Sequence, residues 1–257
     1  RFHPQLYRYF ALKKKALNLD ELHFYDLYAP MISGIKMEFS YEEAKARVLR
    51  GLAPLGEEYI RKLKEGLEGG WVDVYENRNK TGGAYAWGCY DSHPYVLLNY
   101  QPNLSSVLTL AHEMGHALHS AYSNAHQPYI YAQYPIILAE VASTVNEVLM
   151  MEDLLLETTD PKVRLYLLNR FLEEFRGTVF RQTMFAEFER VIHHSVEMGE
   201  ALTPEYLSQQ YLELNRAYHG DGVVLDPGLE VEWARIPHFY TGFYVYKYAT
   251  GFSAAVA

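Results

Sequence analysis

The sequence predicts a mainly α-helical protein that carries a small antiparallel β-sheet. Apolar residues recur at three- and four-residue spacing through most of the 257 residues, which is the period of helices with one buried face. The stretch 71–100 is instead rich in aromatic and glycine residues and alternates in polarity, which is typical of short strands. No linker-like composition divides the chain, so we expect a single domain over residues 1–257.

The elements follow from local signals in chain order. Helices are expected at about 4–17 and 40–68, with Ser40 as N-cap, Glu43 as its capping-box partner and a break at Pro54. Three short strands are expected within 71–100. Thr203-Pro204 is a further start signal. The remaining helices are expected at about 103–122, 136–157, 161–198 and 204–218.

Composition excludes several classes of function. The chain is 49% hydrophobic and 21% charged, with a net charge of −9, so it should be globular and should not bind nucleic acid through phosphate contacts. No apolar run is long enough for a membrane span. The single cysteine, Cys89, cannot form an internal disulfide, and we expect it to be a small buried residue rather than a nucleophile. A cytoplasmic protein without nucleic-acid or membrane partners is predicted.

The strongest chemical signal is His112-Glu113-Met114-Gly115-His116, which lies in an apolar stretch without proline. Residues four apart share a helix face, so both imidazoles can bind one metal ion while Glu113 lies beside them. Zn²⁺ suits imidazole and carboxylate ligands and keeps a position open for water at catalytic sites. The alternative, a purely structural role, requires polar groups to be buried without partners, which is costly.

The third zinc ligand should be a carboxylate or a histidine on a following helix. Glu140 lies within the apolar run Ile-Ile-Leu-Ala-Glu-Val-Ala, and a glutamate is rarely buried unless it has a partner. We therefore predict that His112, His116 and Glu140 hold one Zn²⁺ per chain. Glu147, two turns later, either orients an imidazole or faces solvent, and the solvent-facing interpretation is favoured.

Several motifs resemble one known family. The segment His-Glu-Met-Gly-His-Ala-Leu-His resembles the signature of the thimet-oligopeptidase-like zinc metallopeptidases, and other segments are similar to the oligoendopeptidase F branch of that family. Together the matching segments extend over essentially the whole chain. They are 83–85, Asp91, 95–101, 112–119, 140–144 and 233–251.

The resemblance implies a zincin-type metallopeptidase catalytic domain in which Glu113 is the general base. It also implies that a histidine and tyrosines near the C-terminal end stabilise the transition state. From the matching segment we select His238 and Tyr246 as catalytic and Tyr244 as substrate-binding, with Tyr244 and Tyr248 as alternatives for the catalytic tyrosine.

Gly83, Ala84 and Tyr85 are a candidate substrate-binding strand. Glycine allows a close backbone approach, and an extended peptide can add to an exposed strand edge. A plain structural turn is an equally good interpretation of these residues. The adjacent His193 and His194 point about 100° apart on a helix, and we expect them to be surface residues rather than metal ligands.

These observations lead to a functional hypothesis, a zinc-dependent endopeptidase that hydrolyses short oligopeptides. Enzymes of the family are longer, and this chain starts without methionine and ends in an apolar segment, so we expect a catalytic region cut at both ends. One alternative is a non-catalytic, zinc-containing peptide-binding fragment; another is a zinc hydrolase acting on other substrates. Cleavage preference and oligomeric state are not specified by the sequence.

Overall fold

The computed structural model describes residues 2–257. Gly34–Leu168 and Gly251–Ala257 form one compact unit, here the α4–α5 unit; the described residues through Ser33 and Asn169–Thr250 form the second, the α7–α8 unit. The expectation of one domain over 1–257 stays a prediction. The elements are α1 (His3–Ala16), α2 (Tyr41–Gly51), α3 (Glu57–Glu68), β1 (Val72–Asp73), β2 (Tyr85–Trp87), β3 (Tyr95–Leu97), α4 (Leu104–His126), α5 (Ile136–Glu157), α6 (Pro161–Glu174), α7 (Arg181–Glu197), α8 (Pro204–His219) and α9 (Tyr246–Val256).

The predicted fold class is confirmed, and the helices begin at the predicted caps. The Ser40 hydroxyl accepts the Glu43 N–H, and the Glu43 carboxylate accepts the Ser40 N–H. The Thr203 side chain caps α8 by accepting the Tyr206 N–H. Among the described residues, no helix is long and apolar enough to cross a membrane.

The small sheet is mixed, with strand order β1-β3-β2. β2 and β3 are antiparallel as expected, pairing Tyr85 with Leu97 and Trp87 with Tyr95. β1 and β3 are parallel instead, with Val72 opposite Val96. The difference arises because β3 lies between β1 and β2, and local alternation of polarity does not encode that order. β2 consequently lies at one edge of the sheet.

The core of the α4–α5 unit is the crossing of its two longest helices. Gly115 on α4 lies directly against α5, where an added Cβ would be 2.8 Å from Ser143 Cα and 2.9 Å from the Ala142 carbonyl oxygen. Close by, the Asn146 Nδ2 donates to the Ala111 carbonyl at 2.8 Å, and its Oδ1 accepts the Tyr59 hydroxyl at 3.0 Å. Backbone contact and a buried hydrogen bond therefore fix the register of α5 along α4.

Gly115→Ala tests the importance of this approach. In a helix interior, alanine is more favourable than glycine by about 1 kcal/mol. Here, however, the added methyl group would force the backbones of α4 and α5 apart, which typically costs about 1–3 kcal/mol or more. We therefore expect Gly115→Ala to lower the free energy of unfolding, measured by urea denaturation. Gly177, whose added Cβ meets nothing within 4 Å, provides the control, since Gly177→Ala should not destabilise. A Gly115→Ala variant as stable as the parent would contradict the assignment.

The α7–α8 unit packs around an aromatic core whose largest buried members include Phe10, Phe188 and Tyr211. The predicted helix over 161–198 is present as α6 and α7, but Phe175–Phe180 between them is a π-helical turn. Such turns add a residue to the helical repeat, and hydrophobic periodicity alone does not reveal them.

A buried ion cluster supports this core. Glu232 is 8% exposed. It accepts hydrogen bonds from Arg181 at 2.8 Å, from Tyr211 at 2.6 Å and from Arg235. Burial alone would raise the pKa of Glu232, but Arg181, Tyr211 and Arg235 hold it below its usual value of 4.5. The carboxylate is therefore stabilised in its charged form in the folded protein.

The cluster gives a pH-dependent contribution to stability. Because the folded-state pKa of Glu232 lies below its unfolded value, its contribution is complete above about pH 4.5 and is lost as the pH falls through the folded pKa. Glu232→Gln should lower the free energy of unfolding by about 3–5 kcal/mol at pH 7, and the difference from the parent should shrink at pH 3–4. Urea unfolding at both pH values measures this; a difference that does not change with pH would rule out the ionised form as its source.

Candidate active site

Helix α4 places His112 and His116 one turn apart on one face. Asn103 caps the helix by accepting the Ser106 N–H at 2.9 Å, and an apolar face that includes Leu110 and Leu118 holds it in the core. The Nε2 atoms of the two imidazoles are 3.1 Å apart. The predicted i, i+4 arrangement therefore directs both ring nitrogens to the same point.

Glu140 on α5 completes the cluster. Its Oε2 is 3.9 Å from the His112 Nε2, and the ligand atoms of His112, His116 and Glu140 all lie within 4.8 Å of one another. No other group of three histidine, cysteine or acidic side chains within residues 2–257 meets this condition. Gly251 of α9 covers Glu140, since a Cβ there would be 3.3 Å from the Glu140 Cβ.

Glu147 contacts His112 directly, so the favoured solvent-facing interpretation is wrong. Its carboxylate oxygen forms a short hydrogen bond with the His112 Nδ1, and its side chain is 24% exposed. Glu147 follows Glu140 by seven positions, which places both side chains on one face of α5. That spacing was the available signal, but the register of α5 on α4 decides which side chain reaches the imidazole.

The donor set fits a zinc ion. With the Nδ1–H of His112 donating a hydrogen bond to Glu147, the His112 Nε2 carries a lone pair, and His116 has a separate hydrogen bond to the backbone of Ala139. Two facing lone pairs repel unless a cation or proton lies between them. Two nitrogens bound tetrahedrally to zinc at about 2.05 Å would be about 3.3 Å apart, close to the 3.1 Å observed.

Glu113, between the two histidines in sequence, is buried, and its Oε2 has no hydrogen-bond partner among the described residues. A buried carboxylate oxygen without a donor is costly and calls for a functional explanation. Burial raises the pKa of Glu113 to about 7, despite the opposing effect of His112. A carboxyl group with a pKa near neutrality can both accept and return a proton.

The electrostatics of the cluster differ between its two histidines. Burial lowers the pKa of His116 to about 3, and neighbouring His112 adds to that effect. Burial also acts to lower the pKa of His112, but Glu147, Glu113 and Glu140 raise it to about 8. Burial raises the pKa of Glu140. Three carboxyl groups around two imidazoles create a site that favours positive charge.

The C-terminal candidates form a separate cluster in the α7–α8 unit. The Tyr248 hydroxyl is 3.3 Å from the His238 Nε2, and the Tyr244 ring centroid is 5.4 Å from those of both His238 and Tyr248. Tyr246, the first residue of α9, is 40% exposed and makes none of these contacts within the described chain. The structure thus brings together His238, Tyr244 and Tyr248; the catalytic role chosen for Tyr246 stays a prediction.

The candidate substrate strand lies at the edge of the sheet. Gly83 has a φ of +88°, and its carbonyl accepts the Asn99 Nδ2 at 2.9 Å. Tyr85 begins β2, and Tyr85 and Trp87 are 50% and 71% exposed. The substrate-binding role of Gly83, Ala84 and Tyr85 stays a prediction.

Cys89 is exposed, which corrects the expectation that it is buried. It follows Gly88, where an added Cβ would be 2.7 Å from the Ser120 Cβ. This close approach holds the backbone of the segment against α4. The cysteine side chain therefore does not need to fill the core.

Comparisons with known proteins agree with this geometry. The sequence matches Peptidase family M3 over residues 1–257. The chain belongs to peptidase family M3. It is 58% identical over 254 residues to oligopeptidase PepF of Bacillus subtilis, covering 99% of this chain and 38% of that protein. It is 49% identical to an oligoendopeptidase F homolog of Lactococcus lactis, covering 98% of this chain and 42% of that protein.

A solved structure supports the same family assignment. The crystal structure of oligoendopeptidase-F from Enterococcus faecium superimposes with a TM-score of 0.69 at 40% identity, covering 99% of this chain and 38% of that one. The resemblance drawn from the sequence motifs is confirmed. The M3 chain spans about two fifths of the length of the curated relatives it matches.

Glu147→Gln tests the hydrogen bond that orients His112. Loss of the charged acceptor should weaken Zn²⁺ binding about 10- to 100-fold, as is typical for groups that orient metal ligands. Titration against a chromophoric chelator measures the Kd. Glu152 on the same helix is exposed, and Glu152→Gln should leave the affinity unchanged. Equal Kd values for Glu147→Gln and the parent would show that Glu147 does not support the site.

Proposed function

We propose that this chain is the catalytic region of a zinc-dependent endopeptidase that hydrolyses peptide bonds of short oligopeptides. The observation that carries the proposal is the convergence of His112, His116 and Glu140 beside Glu113, whose buried Oε2 has no hydrogen-bond partner within residues 2–257. The oligopeptide preference rests on the named relatives, oligopeptidase PepF and the oligoendopeptidase F homologs. We also propose a cytoplasmic location, in keeping with a single cysteine.

The proposed mechanism assigns separate tasks to these side chains. His112, His116 and Glu140 would hold Zn²⁺, while Glu147 keeps the Nδ1 proton on His112. Zn²⁺ bound there would supply Lewis acidity that acidifies water and polarises a carbonyl group. Glu113 would take a proton from the attacking water and deliver it to the leaving amine, acting first as a general base and then as a general acid.

Stabilisation of the oxyanion is proposed for the C-terminal segment. The family resemblance implies a histidine and a tyrosine as hydrogen-bond donors, and we assign these roles to His238 and Tyr246, with Tyr244 contacting substrate. Donors held in a fixed arrangement stabilise developing negative charge more effectively than water does. The hydrogen bond between His238 and Tyr248 makes Tyr248 the alternative tyrosine.

Extended peptides would bind along β2. The strand has a free edge, because β3 is its one partner among the described strands. Backbone hydrogen bonds to such an edge recognise a peptide regardless of its side chains. Gly83, Ala84 and Tyr85 are the residues proposed to make these contacts.

The proposal is tested by comparing Glu113→Gln with His116→Ala. Glu113→Gln should keep stoichiometric zinc yet lose hydrolysis of a quenched-fluorescence peptide by on the order of 10²–10⁴-fold, because an amide cannot accept the proton. His116→Ala should lose both zinc and activity. Metal analysis and peptide turnover are measured on the same samples.

The same experiment distinguishes the endopeptidase from the alternative, a non-catalytic, zinc-containing peptide-binding fragment. That alternative predicts a parent chain that holds zinc and binds peptide without turnover, and a Glu113→Gln variant that behaves identically. If the parent is active and Glu113→Gln hydrolyses the peptide at a rate within a few-fold of it, Glu113 is not the general base.

A further inference from the structure

Glu189 on α7 is a buried carboxyl group that the proposed mechanism does not use. Glu189 is 2% exposed, and its Oε1 accepts a hydrogen bond from the Phe243 backbone N–H at 2.9 Å. No arginine or lysine within the described chain lies within ion-pair distance of Glu189. Glu232 and Glu173, by contrast, each form such an ion pair. Burial raises the pKa of Glu189, while the Phe243 N–H and the nearby side chains of His193, His238 and Lys247 oppose that effect.

The residue that Glu189 holds has an unusual backbone conformation. Phe243 has a φ of +60°, in the left-handed region that residues other than glycine, asparagine and aspartate seldom occupy. Its ring packs on His193, also from α7, with centroids 4.5 Å apart. Helix α7 therefore contacts both the backbone and the ring of Phe243, which is 54% exposed, and a strained turn persists only when its surroundings enforce it.

This turn joins the two halves of the C-terminal cluster. His238 lies in the short helix Pro237–Tyr240, and Tyr244 follows Phe243 directly. Phe239, next to His238, packs on Phe185 and Phe188 of α7, with centroids 5.2 and 5.1 Å away. Helix α7 thus anchors the segment before the turn through apolar contacts and the turn itself through Glu189.

We infer that Glu189 is a positioning residue, whose carboxylate holds the Phe243 turn and thereby sets the arrangement of His238, Tyr244 and Tyr248. The inference rests on the proposed function in so far as this cluster acts on a peptide. The acceptor oxygen is the required feature. Glutamine at this position can supply it, whereas leucine, of similar size, cannot.

The test compares Glu189→Gln and Glu189→Leu in the full-length protein. Glu189→Leu should lower kcat by about 10- to 100-fold, since a displacement of about 1 Å in an active site can cost on the order of 100-fold. KM should change little, and zinc content should equal that of the parent. Glu189→Gln should retain kcat within about threefold, because it keeps the acceptor.

Hydrogen exchange at the Phe243 amide gives a readout that does not depend on activity. The amide should be protected in the parent and in Glu189→Gln, and should exchange faster in Glu189→Leu. Glu173→Gln is the matched control, because Glu173 is bonded to Lys13 and Tyr9 away from this segment. It should lower the melting temperature without changing kcat or Phe243 exchange.

The outcomes distinguish this inference from the proposed function. An inert parent would overturn the endopeptidase proposal, and Phe243 exchange would still decide whether Glu189 holds the turn. In an active parent, Glu189→Leu with unchanged kcat, or Glu189→Gln as impaired as Glu189→Leu, would overturn the positioning role.

Discussion

The candidate metal centre depends on the close crossing of α4 and α5 at Gly115. His112 and His116 flank this glycine on α4, and Glu140 comes three residues before Ser143, whose backbone an added Cβ would meet at 2.8 Å. A larger side chain would separate the helices and draw the carboxylate away from the imidazoles. The residue between the histidines therefore sets the distance across which the third ligand must reach.

Polar groups around this crossing fall into two classes. Asn146 is satisfied on both sides, by the Ala111 carbonyl and the Tyr59 hydroxyl, and Glu147 is satisfied by His112. These partners restrict the helices to one register. By contrast, the buried Oε2 of Glu113 and the Nδ1 of His119, also on α4, have no hydrogen-bond partner among the described residues. Because buried polar groups are usually bonded, the free oxygen of Glu113 supports the role proposed for it, which is to take a proton from the attacking water.

Sequence reasoning succeeds where the controlling physics is local. The caps at Ser40 and Thr203 follow from hydrogen bonds within four residues, and the convergence of His112 with His116 follows from helical period. Burial of Glu140 could be inferred from its apolar neighbours. The Glu147 contact, the parallel pairing of β1 with β3 and the choice between Tyr246 and Tyr248 depend on how distant segments meet, which no short window specifies.

Three acidic residues of the α7–α8 unit differ in the partners of their carboxylates. Glu232 faces Arg181 and Arg235, and Glu173 faces Lys13 and Arg176, so their charges are balanced and the core gains specific contacts. Glu189 instead meets a backbone N–H in a turn with positive φ. A buried carboxylate that forms no close ion pair within the described chain contributes little to stability. Its inferred contribution is instead the conformation that it enforces on the segment that carries His238 and the tyrosines.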